Sequence, residues 1–402
     1  MVKLNLLKLL CNHKKLYKEY LRLCNRTWTL GENFLPYKKH NISEKQRSIV
    51  KNIALYLPQF HQVKENDQWW GKNFTEWNNV TKAVPQYYNH YQPHLPFDVG
   101  YYDLLNKNTL LQQIDIAKNY GIYGFCYYFY WFNGRRILEK PLDIILNNQD
   151  LDMPFCYFWA NDSWVRTWHG FSDFEHGDQV LQQQEHNDQD DINVMEYLCK
   201  NVFKDERYIK IDNKPVFILY HIYLFKDIKK TTQVWRDVCK RNGFDDIFLI
   251  NVMMPDLIDN DPISMGFNAT MQFPPIATVQ SQAKVTVLNP KFSGKTYCYN
   301  SVVHSEINRT FSHQNVIRGC FMSWDNEARR PFKGTSYIGS TPEEFHHYLS
   351  GMNQFASKNK ISGESLVFIN AWNEWAEGAH LEPDREYGYS WLEVVAKIIN
   401  NN

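Results

Sequence analysis

The sequence predicts an α/β fold, a (β/α)8 TIM-like barrel with an N-terminal helical extension. Three observations carry this expectation. After residue 50 there are eight short, nearly continuous apolar runs, the pattern of strands buried on both faces. Helical segments fall between several of them. The 402 residues suit one barrel plus additions.

The runs are Ile53–Leu57, Gly124–Trp131, Phe155–Trp159, Pro215–Tyr220, Ile247–Val252, Ala269–Phe273, Gly319–Trp324 and Leu366–Ala371. Helices are expected over Thr109–Tyr120, Leu138–Asn147, Asn193–Phe203, Thr232–Arg241, Pro342–Ser357 and Ser390–Ile399. Thr341 suits an N-cap, with Glu343 and Glu344 at the positive end of the helix dipole. Asp256–Asp261 offers little helix before the sixth strand, and residues 274–317 read as a long strand–helix loop with its own structure. An open doubly wound sheet fits less well, because the phosphate-binding glycine fingerprint is absent.

Residues 1–50 read as a separate basic helix and linker, and 51–402 as the catalytic barrel. Over 1–26, Leu7, Leu10, Tyr17, Leu21 and Cys24 share one helical face and Lys8, Lys15, Lys18, Arg22 and Arg26 another. The preferred reading is a helix packed on the barrel with a solvated basic face. The alternative is peripheral contact with an anionic membrane surface. The first 50 residues hold eleven Lys and Arg against three Glu, although net charge over the chain is zero. A mildly acidic main domain argues against nucleic acid as a partner. No secretory signal is read at the N-terminus, since Leu4–Cys11 is short and contains Lys8, and no apolar run is long enough to span a membrane. Cys126, Cys156 and Cys320 read as buried free thiols, and the expected location is cytoplasmic, with the inner face of the membrane as the peripheral alternative.

Barrel enzymes build their sites from the C-terminal ends of the strands. Here those ends and the segments after them carry His61, Trp69, Trp70, Glu76 and Trp77; then Tyr130 and Trp131; then Trp159, Asn161, Asp162 and Trp164; then His221; then Trp324, Asp325, Asn326 and Arg329; and finally Asn373, Glu374, Trp375 and Glu377. Ten of the thirteen Trp, Trp168 and Trp372 among them, fall in such segments. Indole beside carboxylates and amides is the composition of a sugar site, and about half of these Trp are expected to serve packing instead. Arg329 has two readings: an anion clamp, or a partner, like Arg330, for Asp325 that shapes the loop. His90 and His94 are separated by Pro93 and read as loop histidines rather than metal ligands. Among DxD triplets, Asp188-Gln189-Asp190 reads as a solvated loop and Asp150-Leu151-Asp152 lies at the wrong edge for a site.

The sharpest local signal is Asn373-Glu374-Trp375-Ala376-Glu377-Gly378. Two carboxylates three residues apart in a tight post-strand turn can face one cavity. Glycosidic cleavage needs such a pair, and mutual repulsion keeps one of them protonated near neutrality. A surface pair on a loop is the plainer alternative.

This motif, followed by Leu381-Glu382-Pro383, resembles the NEW-x-EG…EP signature of family 99 glycoside hydrolases, the endo-α-mannosidase group. Over residues 52–395 the chain resembles more closely the WbsX-type proteins of bacterial lipopolysaccharide and capsule gene clusters. That match rests on YLPQFH (56–61), Trp69-Trp70-Gly71, Phe74-Thr75-Glu76-Trp77, HYQPHLP (90–96), GYYD (100–103), YYFYWFNG (127–134), FWANDSW (158–164) and SWDN (323–326) with Arg329-Arg330. The resemblance implies a retaining mechanism without metal or cofactor. Glu374 would act as base on the sugar 2-hydroxyl, giving a 1,2-anhydro intermediate, and Glu377 as acid and then base. Ala376 stands where the mannosidases have His, so the resemblance does not extend to mannose specificity. The implied partner is a glycan or glycolipid. Cleavage or transfer at an α-linked glycan is the first expectation; a glycosyltransferase with an activated donor and a non-catalytic glycan-binding barrel are the alternatives.

Overall fold

Eight parallel strands close into a ring: β1 (Lys51–Tyr56), β2 (Gly124–Phe129), β3 (Phe155–Trp159), β4 (Lys214–Leu219), β5 (Phe248–Val252), β6 (Ala269–Met271), β7 (Val316–Phe321) and β8 (Leu366–Asn370). Closure is made by β1, which pairs with β2 from Ile53 against Gly124 and with β8 from Lys51 against Leu366. The computed structural model describes residues 30–166 and 179–401, so the expected helix over 1–26 and Trp168 lie outside the described residues.

The strands are continuous runs of aromatic and branched side chains because each has a barrel interior on one side and helices on the other. The longer helices between them are α1 (Lys107–Asn119), α2 (Lys140–Asn147), α3 (Asp188–Asn201), α4 (Ile228–Arg241), α5 (Tyr299–Ile307) and α6 (Pro342–Lys358), with α7 (Ser390–Asn400) after β8 and two short helices, Lys64–Trp70 and Trp77–Lys82, between β1 and α1. Only two 3-10 turns, Pro255–Leu257 and Pro262–Met265, separate β5 from β6. Thr341 caps α6, its hydroxyl accepting from the Glu344 amide.

Several boundaries differ from expectation, among them the starts of α4, at Ile228 behind an Asp227 cap rather than at Thr232, of α3 and of β7. Helix α3 begins at Asp188, not Asn193. Asn187 caps it, accepting from the amides of Gln189 and Asp190, and three aspartates occupy the first turn, where the dipole favours them. The DxD triplet is therefore not a solvated loop: Asp190 is buried and accepts from Trp131 Nε1 at 2.9 Å. Strand β7 begins at Val316, because Arg318 is a buried strand residue, 3.6 Å from Glu306 and sandwiched by Phe311 and Phe355. The long stretch before it holds α5 and a short strand, Lys295–Cys298, parallel to Thr335–Ile338.

Residues 30–50 run along the barrel rather than hanging as a linker. Gly31 and Leu35 donate to the carbonyls of Arg385 and Tyr387, and His40 Nε2 lies 2.8 Å from Glu393 on α7. Cys126, Cys156 and Cys320 are buried free thiols. Among the described residues no helix is long and apolar enough to cross a membrane.

Candidate active site

The end of β8 is pinned to the end of β1. The Asn373 side chain accepts from the Leu57 amide at 2.7 Å and donates to the Leu57 carbonyl at 3.0 Å. Glu374 then pairs with Ala379 in a two-residue ladder, and Trp375–Glu377 form a 3-10 turn. Side chains three apart eclipse in that geometry, so Glu374 and Glu377 point the same way. The turn is closed by Gly378 at φ +59°, where a Cβ would lie 3.0 Å from the Asp325 amide nitrogen. That amide donates to the Glu377 carbonyl at 2.7 Å, tying the turn to the segment after β7.

Between them the two glutamates hold Arg329. Its Nη2 donates to Glu374 at 3.0 Å, its Nη1 to Glu377 at 2.6 Å, and its Nε to Glu76 at 2.9 Å. Glu76 is fully buried behind the guanidinium. Three carboxyl groups thus share one cation, Glu76 and Glu374 buried and Glu377 partly open to the cleft. Burial pushes the Glu374 carboxyl up to about 8 against the pull of Arg329, with Glu377 and Glu76 adding to the rise. Burial also raises Glu377, again opposed by Arg329. The same carboxylates hold Arg329 well above the usual guanidinium value against the cost of its burial. Neither expected reading of Arg329 describes this arrangement, and Asp325 instead faces His90 and accepts from Ser336 at 3.1 Å.

Both glutamates lie in the wall of a cleft of about 390 Å³ at the C-terminal mouth of the barrel. Of the expected site residues, Tyr130, Asp162, Trp164, Trp324, Asn326 and Arg329 also line it. His221 stands behind Asp162, with Nε2 3.1 Å from its carboxylate, and the buried Asn161 holds the His221 backbone. Trp69 packs on Trp164 at 5.8 Å and Arg166 lies over Trp70, so both Trp form a shoulder beside the cleft.

Several expected contacts are packing residues instead. Trp159 faces outward to Trp235 and Phe225, and Trp131 outward to Asp190 on α3. Their neighbours in the alternating strand pattern, Phe158, Tyr128 and Tyr130, point inward and line the cleft. Trp77 is buried against Phe60 and donates to the Tyr102 carbonyl. Trp375 stacks on His380 at 3.8 Å and donates to Glu382 at 2.7 Å. His61 is fully buried, and burial pushes its imidazole down to about 4. Glu76, Asn373 and Asp325 likewise sit behind the cleft wall rather than in it. Gln59, Tyr220, Phe273 and Arg330, which were not among the expected substrate contacts, also line the cleft. For Tyr220 and Phe273, which closely follow β4 and β6, the signal was strand phase.

By fold and site this is a (β/α)8 barrel with two glutamates in the wall of the cleft at its C-terminal mouth. The model of the family described as glycosyltransferase WbsX matches residues 52–395, and the chain belongs to that family. It is 37% identical over 349 residues to an uncharacterized protein, WxcX, of Xanthomonas campestris pv. campestris strain B100, covering 86% of this chain and 49% of that protein. The relative from strain ATCC 33913 matches over the same shares. The chain thus spans about half the length of the curated relatives it matches. Among solved structures it resembles the family 99 endo-α-mannosidase of Bacteroides thetaiotaomicron, with TM-score 0.54 and 13% identity over 90% of this chain and 98% of that one. A glycoside hydrolase-like protein superposes with TM-score 0.55 at 14% identity over 92% and 98%. At such identities the likeness is one of fold.

Proposed function

We propose that this enzyme cleaves or transfers at an α-linked glycan of bacterial surface polysaccharide, with retention, using Glu374 and Glu377. The carrying observation is the pair of glutamates held side by side by one guanidinium in the wall of a cleft. The resemblance to WbsX-type proteins supplies the substrate class, lipopolysaccharide O-antigen or capsule, and the resemblance to family 99 supplies the roles. Glu374 takes the proton from the sugar 2-hydroxyl as that oxygen closes on C1. Glu377 gives its proton to the departing glycosidic oxygen. In the second half Glu377 takes a proton from water or an acceptor hydroxyl, which opens the 1,2-anhydro ring, and O2 recovers its proton from Glu374. Cleavage and transfer differ only in that acceptor.

Burial raises both carboxyls, Glu374 to about 8, so the pair holds a proton near neutrality. A bound 2-hydroxyl donating to Glu374 favours its carboxylate form, which leaves the shared proton on Glu377, where the first step needs it. The alternative of a nucleotide-activated donor fits the cleft less well. Glu374, Glu377 and Asp162 face the space that a diphosphate would enter, and of the two arginines in the lining, Arg329 has each nitrogen already on a carboxylate, which leaves Arg330 against three acids.

The test compares two substrates in two variants. Glu377→Gln removes the proton donor, so a glycoside with a poor leaving group should lose about 10²–10⁴-fold in rate, while an activated aryl glycoside retains more. Glu374→Gln removes the base, so both substrates should slow alike. Equal substrate ratios in the two variants would refute the roles, and full activity in either would move the chemistry elsewhere on the rim.

A further inference from the structure

The segments that follow β1, β6 and β7 meet at one side of the barrel's C-terminal mouth. Tyr87 and Val287 form an antiparallel bridge, and the amides of Tyr88 and Leu288 donate to the carbonyls of Thr286 and Gln86 at 2.9 Å each. The Ser293 amide donates to the Phe332 carbonyl at 2.7 Å. Residues 83–91, 284–293 and 328–335 are thus joined into one lip, and Arg330 within it also lines the cleft. These three segments contain no Asp or Glu, while Lys284, Lys291, Arg330 and Lys333 are exposed. Interleaved with the cations are four apolar side chains, Val84, Val287, Leu288 and Phe332, each between 36% and 50% exposed. Single exposed apolar residues are ordinary on a protein surface, but four on one lip with no acid among them make a patch.

Phe332 is held at the surface against backbone preference. Its φ is +65°, in the left-handed region that a bulky residue rarely enters. The nearest acid in sequence, Glu327, is buried inside the loop and accepts from the amides of Phe332 at 2.7 Å and Gly334 at 3.3 Å. That carboxylate fixes the turn and leaves the Phe332 ring beside Lys291, whose Nζ is 6.0 Å from its centroid. Charge is also segregated around the mouth. After β5, which stands opposite β1 in the ring, residues 253–261 carry the exposed Asp256, Asp259 and Asp261 and no Lys or Arg. A basic and apolar lip is complementary to an anionic lipid surface, where cations meet headgroups and apolar side chains enter the acyl boundary. A second copy of the chain fits less well, since a two-fold contact through this lip sets cations against cations. We infer that this lip docks on an anionic phospholipid bilayer and holds the cleft mouth at the membrane, a placement suited to the glycolipid class proposed above. Docking itself does not depend on that substrate.

The experiment reads binding, not turnover. Full-length protein is sedimented with vesicles of phosphatidylcholine alone and with phosphatidylglycerol added, and amide hydrogen exchange is followed with and without them. The anionic vesicles should bind the chain and slow exchange in 284–293 and 328–335. Each Lys or Arg near an anionic surface strengthens binding about 5-fold, so Lys284→Gln/Lys291→Gln/Arg330→Gln should weaken it about 100-fold. Phe332→Gly removes the ring and relieves the left-handed strain, so it should bind vesicles more weakly with an unchanged or higher Tm. Lys15→Gln/Lys18→Gln/Arg22→Gln removes the same charge near the N-terminus and should leave the protection of the lip in place. No binding to anionic vesicles at low salt, or binding that leaves exchange in the lip unchanged and is equally strong in both lip variants, would overturn the inference. So would protection of the lip by raised protein concentration alone, or by soluble polygalacturonate where vesicles give none.

Discussion

Arg329 decides the electrostatics of the cleft, and its partners come from two separate parts of the chain. Removing its charge leaves the buried Glu76 and Glu374 and the half-buried Glu377 together without a cation. Arg329→Met is therefore expected to lose about 3–5 kcal/mol in urea unfolding, the usual cost of breaking a buried ion pair from one side. The raised carboxyls also set a sign for pH. Glu374 has a folded value of about 8 against an ordinary 4.5. Below pH 4.5 it is neutral both folded and unfolded. Between 4.5 and 8 the unfolded chain ionises while the folded one holds its proton, so stability falls as pH rises through that window. Glu327 and Glu382, each raised by burial to about 7, act in the same direction. Glu374→Gln should accordingly have a higher Tm than the wild type at pH 8, with the gap closing toward pH 4.5. A gap independent of pH would show that Glu374 is ionised throughout.

At the scale of elements, the catalytic turn depends on one left-handed position. Gly378→Ala places a Cβ against the Asp325 backbone and forces an alanine into φ near +59°. The expected cost is about 1–2 kcal/mol in unfolding, together with a fall in kcat, because the same contact aligns Glu377. A stability loss with unchanged kcat would separate the turn from the chemistry. The eight strands were legible in the sequence because burial on both faces leaves nearly unbroken apolar runs. That same uniformity hid which side chains face inward. Phe158 and Trp159 look equivalent in an apolar run, and only the pleat sends one to the cleft and the other to Trp235. For β7 the start was obscured by Arg318, a strand residue whose charge is balanced by Glu306 on α5.

For the whole molecule, residues 30–50 are part of the barrel's packing, whereas residues 1–26 contribute no motif to the site. Deleting 1–26 is expected to leave turnover on a soluble substrate largely intact. Deleting 1–50 should lower Tm, because it removes the bonds to Arg385, Tyr387 and Glu393. Loss of turnover in the shorter deletion with the fold preserved would contradict this division. If the basic face meets membranes, binding of the full chain to anionic vesicles should weaken as salt rises, since screening shortens the reach of charge attraction.

The sequence by itself determined the number and order of the strands, the positions of most helices and the pair of glutamates three residues apart. These are local patterns: burial, capping and turn chemistry are written within a few consecutive residues. The tertiary structure alone decided that Arg329 bonds Glu76 across 253 positions, that Asp325 belongs to His90, and that His94 meets His380. Ring closure brings together loops that follow different strands, and partners chosen across that distance leave no periodicity or spacing in the chain to read.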